Sequence, residues 1–424
     1  MCAMIAAGMV VLVGCSGGSV GRPAPPDEGA GKGAAAQAFD PPLKFGTGVK
    51  LAADSSRSTE SALRGTVAYL LTEAALEAYD TRTGARLWSA QEPGMAAGVK
   101  ERAVSGGAPL VFAEQGGRAV VLFGYKKYTE GSGTTAGLTS TYVCAVDAET
   151  GKVSWTVELP VTAVKGSIVL APAVVGVDGT HAVVRVTTGP GPRLSDGAGA
   201  VSYGVDLGTH QVAWEQKSFA AAAVDKGTVV GARIPAAVEW DSERWTATTG
   251  KIALEGRSAA DGSVRWADPR DLFGLNVRRV GAGMFSVRAN TEYKEHTPAH
   301  QLLDVATGTV PAGMTAEVSG RLADGRCAYD QRSVVVCRGE KDMSAVDAES
   351  HSLLWTISGA DATRNVPDLD TAWHGAVYGR AGKNYVVVDA RTGQDRATLD
   401  GPGVHVVNEY AGLDLDFTAR PALG

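Results

Sequence analysis

The stretch Ala145-Val146-Asp147-Ala148-Glu149-Thr150-Gly151-Lys152-Val153-Ser154-Trp155 decides how the chain is read. An apolar alternating run reaches an Asp, a short polar turn ends in Gly, and a second alternating run closes on Trp. Asp and Thr side chains bond the turn's own amides, and Gly takes positive φ without a Cβ clash. The stretch therefore predicts strand, turn, strand.

The same unit recurs along the chain. AYDTRTGARLW ends at Trp88, GVDLGTHQVAW at Trp214, GRSAADGSVRW at Trp266 and AVDAESHSLLW at Trp355. Two copies lack the Trp: LLDVATGTVPA ends at Ala312 and VVDARTGQDRA at Ala397. The Asp positions are 80, 147, 206, 258 (a Ser), 304, 347 and 389, so the spacing shrinks from 67 to 42 residues. A repeat of about 42 residues holding four short alternating strands is the signature of a β-propeller blade. The expected fold is all-β, with seven recognisable repeats. The remainders FDPPLKFGTGVKLAA and GVHVVNEYAGLDLDFTARPA both alternate like strands. If they pair as a composite blade the ring has eight blades; otherwise it has seven.

In each copy Trp falls on the outer strand, where it can dock on the neighbouring blade. Trp88, Trp155, Trp214, Trp266 and Trp355 are the expected docking residues. A buried Trp removes roughly 150–250 Å² from water, or about 4–6 kcal/mol before entropy is counted. The seams after the fifth and seventh copies are expected to be weaker. The turn carboxylates Asp80, Asp147, Asp206, Asp304, Asp347 and Asp389 are read as turn caps rather than ligands.

The pattern Ala-x-Asp-x-x-Thr-Gly-x-x-x-Trp resembles the tryptophan-docking repeat of quinoprotein (PQQ-dependent) dehydrogenases and their non-enzymatic relatives. Those relatives include lipid-anchored propellers and the propeller subunit of the Gram-negative outer-membrane assembly machine. The resemblance covers roughly residues 57–400 and bears on fold. For the enzymes it implies PQQ in the central pocket, a calcium held by carboxylate and amide oxygens, and a catalytic Asp base. Alcohol-oxidising members also carry an adjacent cysteine pair. This sequence has no Cys-Cys and no Asp, Glu and Asn set on matching motifs, so neither PQQ nor calcium is expected.

The N-terminal run MCAMIAAGMVVLVGCSGG is too short to span a bilayer. Its end, Leu12-Val13-Gly14-Cys15, resembles the lipobox of bacterial lipoproteins. Residues 1–15 are expected to be a signal peptide with lipidation at Cys15, and residues 16–40 a disordered Gly/Ala/Pro-rich tether. A single propeller domain then occupies 41–424. Lipidation implies an extracytoplasmic protein held at the cell membrane, where cysteines can pair. GRCAYDQRSVVVCRG reads as a hairpin placing Cys327 opposite Cys337, an expected disulfide; Cys144 is read as a buried structural thiol.

Net charge is −6 over 424 residues with no Lys/Arg run, which argues against a nucleic-acid partner. His296 and His300 in EHTPAH stand four apart, but Pro298 opposes the helix that would align them for zinc, so both are read as solvated. Glu239, Asp241 and Glu243 in VEWDSERW are read as solvated acids.

Three connections between second and third strands are enlarged: GYKKYTEGSGTTAGLTST, TTGPGPRLSDGAGA and NTEYKEHTPAH. Tyr125, Lys126, Lys127, Tyr128, Tyr293, Lys294 and His296 are the candidate partner-binding residues, with Glu130 and Glu295 beside them. Aromatic residues mixed with charge on one face suit a protein or glycan partner. The reading is a lipid-anchored monomer that binds or scaffolds and does not catalyse. A PQQ-dependent dehydrogenase and an outer-membrane assembly partner are the alternatives.

Overall fold

The computed structural model describes residues 36–424 except 52–57, 73–74, 92–109, 135–136, 162–166, 170–171, 191–198, 235–239, 242–245, 248–251, 292–298, 361–362 and 400. Eight antiparallel sheets form the ring, so the composite blade exists. Blades 1 to 7 begin at the inner strands Ser58–Arg64, Val111–Gln115, Ala173–Asp178, Phe219–Asp225, Phe273–Gly281, Arg326–Tyr329 and Asp368–Trp373. Blade 8 takes Val406–Val407, Ala411–Leu413 and Thr418–Pro421 from the C-terminal end and Val49–Lys50 as its outer strand. Val49 pairs with Ala419, which closes the ring by joining the two ends of the propeller.

The repeated turn closes by hydrogen bonds local in sequence. In the second copy Asp147 Oδ1 accepts the amides of Glu149 at 3.1 Å and Thr150 at 2.8 Å, and the Thr150 hydroxyl at 2.8 Å. The Gly151 amide donates to the Asp147 carbonyl at 2.9 Å, with φ +69°. His210 and His351 hold this left-handed position in the third and sixth copies, at φ +57° and +58°.

The Trp of one blade docks on that turn of the next. The indoles of Trp88, Trp214, Trp266 and Trp355 donate to the carbonyls of Ala148, Ala259, Val305 and Ala390, each the residue after the turn's Asp or Ser. The ring lies against the turn glycine: a Cβ on Gly151 would stand 2.6 Å from Trp88, and one on Gly308 2.5 Å from Trp266. Trp155 reaches the next blade indirectly. Its indole donates to Gln115 Oε1 at 2.9 Å, and Gln115 Nε2 donates to the Leu207 carbonyl at 2.6 Å. Its ring stacks on His210, which stands where most copies have Gly.

The two seams without Trp are built differently. The fifth copy has no outer strand of its own after Gln301–Asp304; the helix Ala316–Ala323, capped by Thr315, takes that place. Ser319 Oγ accepts the Leu302 amide at 2.8 Å and donates to the Leu302 carbonyl at 2.9 Å, satisfying the strand edge. At the other seam Leu43, Phe45, Tyr378 and Ala397 pack together, and the Tyr378 hydroxyl donates to the Pro42 carbonyl at 2.8 Å. Residues from Phe39 onward are bonded to the propeller. Phe39 bonds the Glu409 carbonyl, and Asp40 pairs with Arg332 and His374.

Cys327 and Cys337 face each other in register and are disulfide-bonded, with Cα atoms 4.0 Å apart. Cys144 is buried and outside any disulfide, and its Sγ accepts the Thr156 hydroxyl at 3.7 Å. Cys15 lies outside the described residues.

Candidate functional site: the loop face and the channel mouth

Strands alternate in direction, so second-to-third connections and blade-to-blade crossings share one face. The Asp turns and the first-to-second turns share the other. On the loop face the blades fall into two sets. Blades 2 to 5 carry long second-to-third connections, at 130–137, 191–198, 234–252 and 291–300. Blades 6, 7, 8 and 1 carry short ones, at 339–341, 382–383, 414–417 and 73–75. The fourth long connection was not anticipated, although the 52-residue spacing from Asp206 to Ser258 leaves about ten residues beyond a minimal repeat. It contains VEWDSERW and forms the short strands Trp240–Asp241 and Thr246–Ala247. These add to the inner edge of blade 5, where Thr246 pairs with Asn276. Glu239 and Glu243 lie outside the described residues.

In blade 2 the strands run out into a long hairpin, Arg118–Thr129 against Leu138–Asp147. Tyr125 is part of that pairing, opposite Tyr142, and only 6% exposed. The two phenol rings stack with centroids 5.1 Å apart, and Tyr125 belongs to the core between blades 1 and 2. This corrects the expectation of an exposed loop tyrosine: the strand continues past Gly124, and its alternation turns Tyr125 inward. Lys126 Nζ donates to the Val169 carbonyl of blade 3 at 3.4 Å, and Lys127 is half-buried. Tyr128 is 52% exposed, and Leu138, on the other side of the hairpin, is 62% exposed. Its phenol lies over Gly137, where a Cβ would stand 2.1 Å from the hydroxyl oxygen. Tyr293, Lys294, Glu295 and His296 lie outside the described residues. His300 is half-buried and hydrogen-bonded through Nδ1 to Asp324, which corrects its reading as a solvated histidine.

A second feature on this face escaped the sequence reading. Inner strands start at the loop face, so their first residues form the mouth of the central channel. Arg326 opens the inner strand of blade 6, and its Nη2 donates to the Asp370 carbonyl of blade 7 at 3.0 Å. The Asp370 carboxylate stands 3.5 Å from His405 Nδ1 of blade 8. Burial pushes the Asp370 carboxyl above the usual carboxylate range, against the pull of His405 and Arg326. Numbers 326, 370 and 405 share no motif; only ring closure brings them together.

Among the described residues, no group of three or more His, Cys, Asp or Glu side chains is placed to hold a metal ion.

Fold and site together define an eight-bladed propeller with one elaborated arc of loops. No family model matches the chain, and no curated protein matches it. Solved structures do resemble it. BamB from Moraxella catarrhalis is 12% identical over 89% of this chain and 98% of its own, with a TM-score of 0.43. The quinohemoprotein alcohol dehydrogenase of Comamonas testosteroni is 12% identical over 87% and 69%, with a TM-score of 0.42. That of Pseudomonas putida HK5 is 13% identical over 89% and 76%, with a TM-score of 0.45.

Proposed function

We propose that this protein is a lipid-anchored extracytoplasmic propeller that binds or scaffolds a protein or glycan partner through the loop face of blades 2 to 5, without catalysing a reaction. The observation that carries the reading is the confinement of four long connections to four consecutive blades. Drift in eight near-equal repeats would scatter such insertions. Long surface connections cost little in loop-closure entropy and are where binding residues concentrate. The exposed Tyr128 and Leu138 at the base of the blade 2 loop supply apolar contact area there.

Anchoring rests on Leu12-Val13-Gly14-Cys15 and the tether after it. Cys15→Ser should move the protein from the membrane fraction to the soluble extracytoplasmic fraction; retention in the membrane would contradict the anchor. Binding is tested by placing a photo-crosslinking residue at position 128 or at position 353, an exposed rim position on blade 6. A discrete adduct from position 128 and none from position 353 supports the loop face. The reverse pattern refutes it.

A further inference from the structure

The chain enters the propeller on the turn face, close to the channel. The Phe39 amide donates to the carbonyl of Glu409, in the first-to-second turn of blade 8. Asp40 is held by Arg332 and His374, which lie in the corresponding turns of blades 6 and 7. The Tyr378 hydroxyl and the Gly424 carbonyl then fix Pro42 and Leu43 as the chain moves out to the outer strand of blade 8. The point where the upstream chain joins the ring is thus pinned beside the channel, on the face opposite the long connections.

The margin of that face carries exposed aliphatic side chains. Outer strands start at the turn face, and Leu87, Val153, Val264 and Leu353 take the first or second position of the outer strands of blades 1, 2, 4 and 6. Leu423 follows the third strand of blade 8, which ends on the same face. All five are exposed. A lone exposed aliphatic residue is ordinary on any surface. Five at one level round the perimeter are met together only by a surface as broad as the ring. The acids of this face do not oppose such a surface as free charges. The carboxylates of Asp80, Asp147, Asp206, Asp347 and Asp389 lie within 4.0 Å of the basic side chains of Arg82, Arg118, His181, Arg391 and Arg396, in that order.

We propose that the turn face lies against the phospholipid bilayer, with the aliphatic rim at the headgroup boundary and the loop face turned away from the membrane towards its partner. This rests on the lipid-anchored reading and adds an orientation to it. Cys15 and Gln37 are separated by 21 residues. A Gly-rich coil of that length averages about 25 Å end to end. To bring the loop face to the bilayer it would have to cross the four strands of a blade, about 15 Å, and then the depth of the ring, about 20 Å. Contact through the turn face needs neither crossing, and it places the aliphatic rim where apolar area is buried beside the lipid anchor.

The test uses the full chain, isolated with its lipid anchor and reconstituted into vesicles of phosphatidylcholine and phosphatidylglycerol. Cys144 is buried and Cys327 and Cys337 are bonded to each other, so one introduced cysteine takes a fluorophore selectively. Gln394→Cys puts it in the Asp turn of blade 7. Lys383→Cys puts it at the other end of the same third strand, on the loop face; both residues are exposed. A lipid with a nitroxide on its headgroup quenches the fluorophore at short range. Flotation with the vesicles reads the anchor, and quenching reads the orientation. Quenching should be several-fold stronger at position 394 than at position 383. Leu87→Ala with Leu353→Ala should reduce it at position 394 while flotation is kept, and no reduction would overturn the rim contact. Equal quenching at the two positions, or stronger quenching at 383, overturns the orientation while the anchor stands. Failure of the parent chain to float overturns the anchor reading and the orientation with it.

Discussion

Blades 2 to 5 and blades 6, 7, 8 and 1 are alike on one face and different on the other. On the turn face, Asp147 in the first arc and Asp347 in the second make the same set of bonds: amides two and three residues on, and a hydroxyl. Trp214 in the first arc and Trp355 in the second donate to the same carbonyl of the following turn, at 2.8 and 2.9 Å. On the loop face the second-to-third connections of one arc are all at least eight residues long, and those of the other are none longer than four. A feature kept in both arcs holds the ring together. A feature confined to one arc is free of that duty and available for recognition.

Breaking the shared face should give the largest effect. Trp214 is 6% exposed and spans the seam between blades 3 and 4, so Trp214→Ala should cost about 3–5 kcal/mol in a denaturant titration. A loss under about 1 kcal/mol would show that seams do not depend on docked indoles.

The next effect sharpens the contrast within a single hairpin. Tyr125→Ala removes a buried ring and should cost about 3 kcal/mol, whereas Tyr128→Ala should stay within about 0.5 kcal/mol. Equal losses would place both tyrosines in the core and take Tyr128 away from recognition.

The smallest effect is set by pH and should be common to both arcs. The Ser350 amide, first among several donors, holds the Asp347 carboxyl down at about 2, and the Thr150 hydroxyl and amide lower Asp147. An unfolded Asp titrates near 3.9. Folded values below that make the stabilisation complete above about pH 4 and lost as pH falls through the folded values. Melting temperature should therefore fall steeply between about pH 4 and pH 2. In Asp347→Ala that fall should be shallower, on top of a loss of about 1 kcal/mol at neutral pH. An unchanged acid profile would mean that the turn carboxylates do not set acid stability.

The repeat was legible because its chemistry is local: Asp, Thr and Gly bond within five residues, and Trp follows at fixed spacing. The composite eighth blade was open from sequence, since Val49 and Ala419 meet only through the closed ring. The helix at Ala316–Ala323 was missed because the repeat led to an outer strand there; Pro311 and the Thr315 cap were the local signals against one. Tyr125 was misplaced because a strand that outgrows its blade looks like the start of a loop. Gln115, Asp225, Asp330 and Asn408 make a second set of clasps, from the end of one inner strand to the next blade. They were not visible in sequence because their partners are backbone groups 45 or more residues away. Arg326, Asp370 and His405 were hidden because they stand on three different blades and meet only in the closed ring.

The central claim is that recognition belongs to the loop arc. It is tested most directly by two double variants that remove similar exposed apolar area. Tyr128→Ala with Leu138→Ala alters the loop face of blade 2; Leu87→Ala with Leu353→Ala alters the outer rim of blades 1 and 6, where those leucines are 51% and 43% exposed. The measurement is recovery, from detergent extracts, of the species that crosslinks at position 128. The account predicts that recovery falls by about tenfold or more for the loop pair and is unchanged for the rim pair, with both variants melting like the parent. Equal recovery with both pairs, or a loss confined to the rim pair, would contradict it.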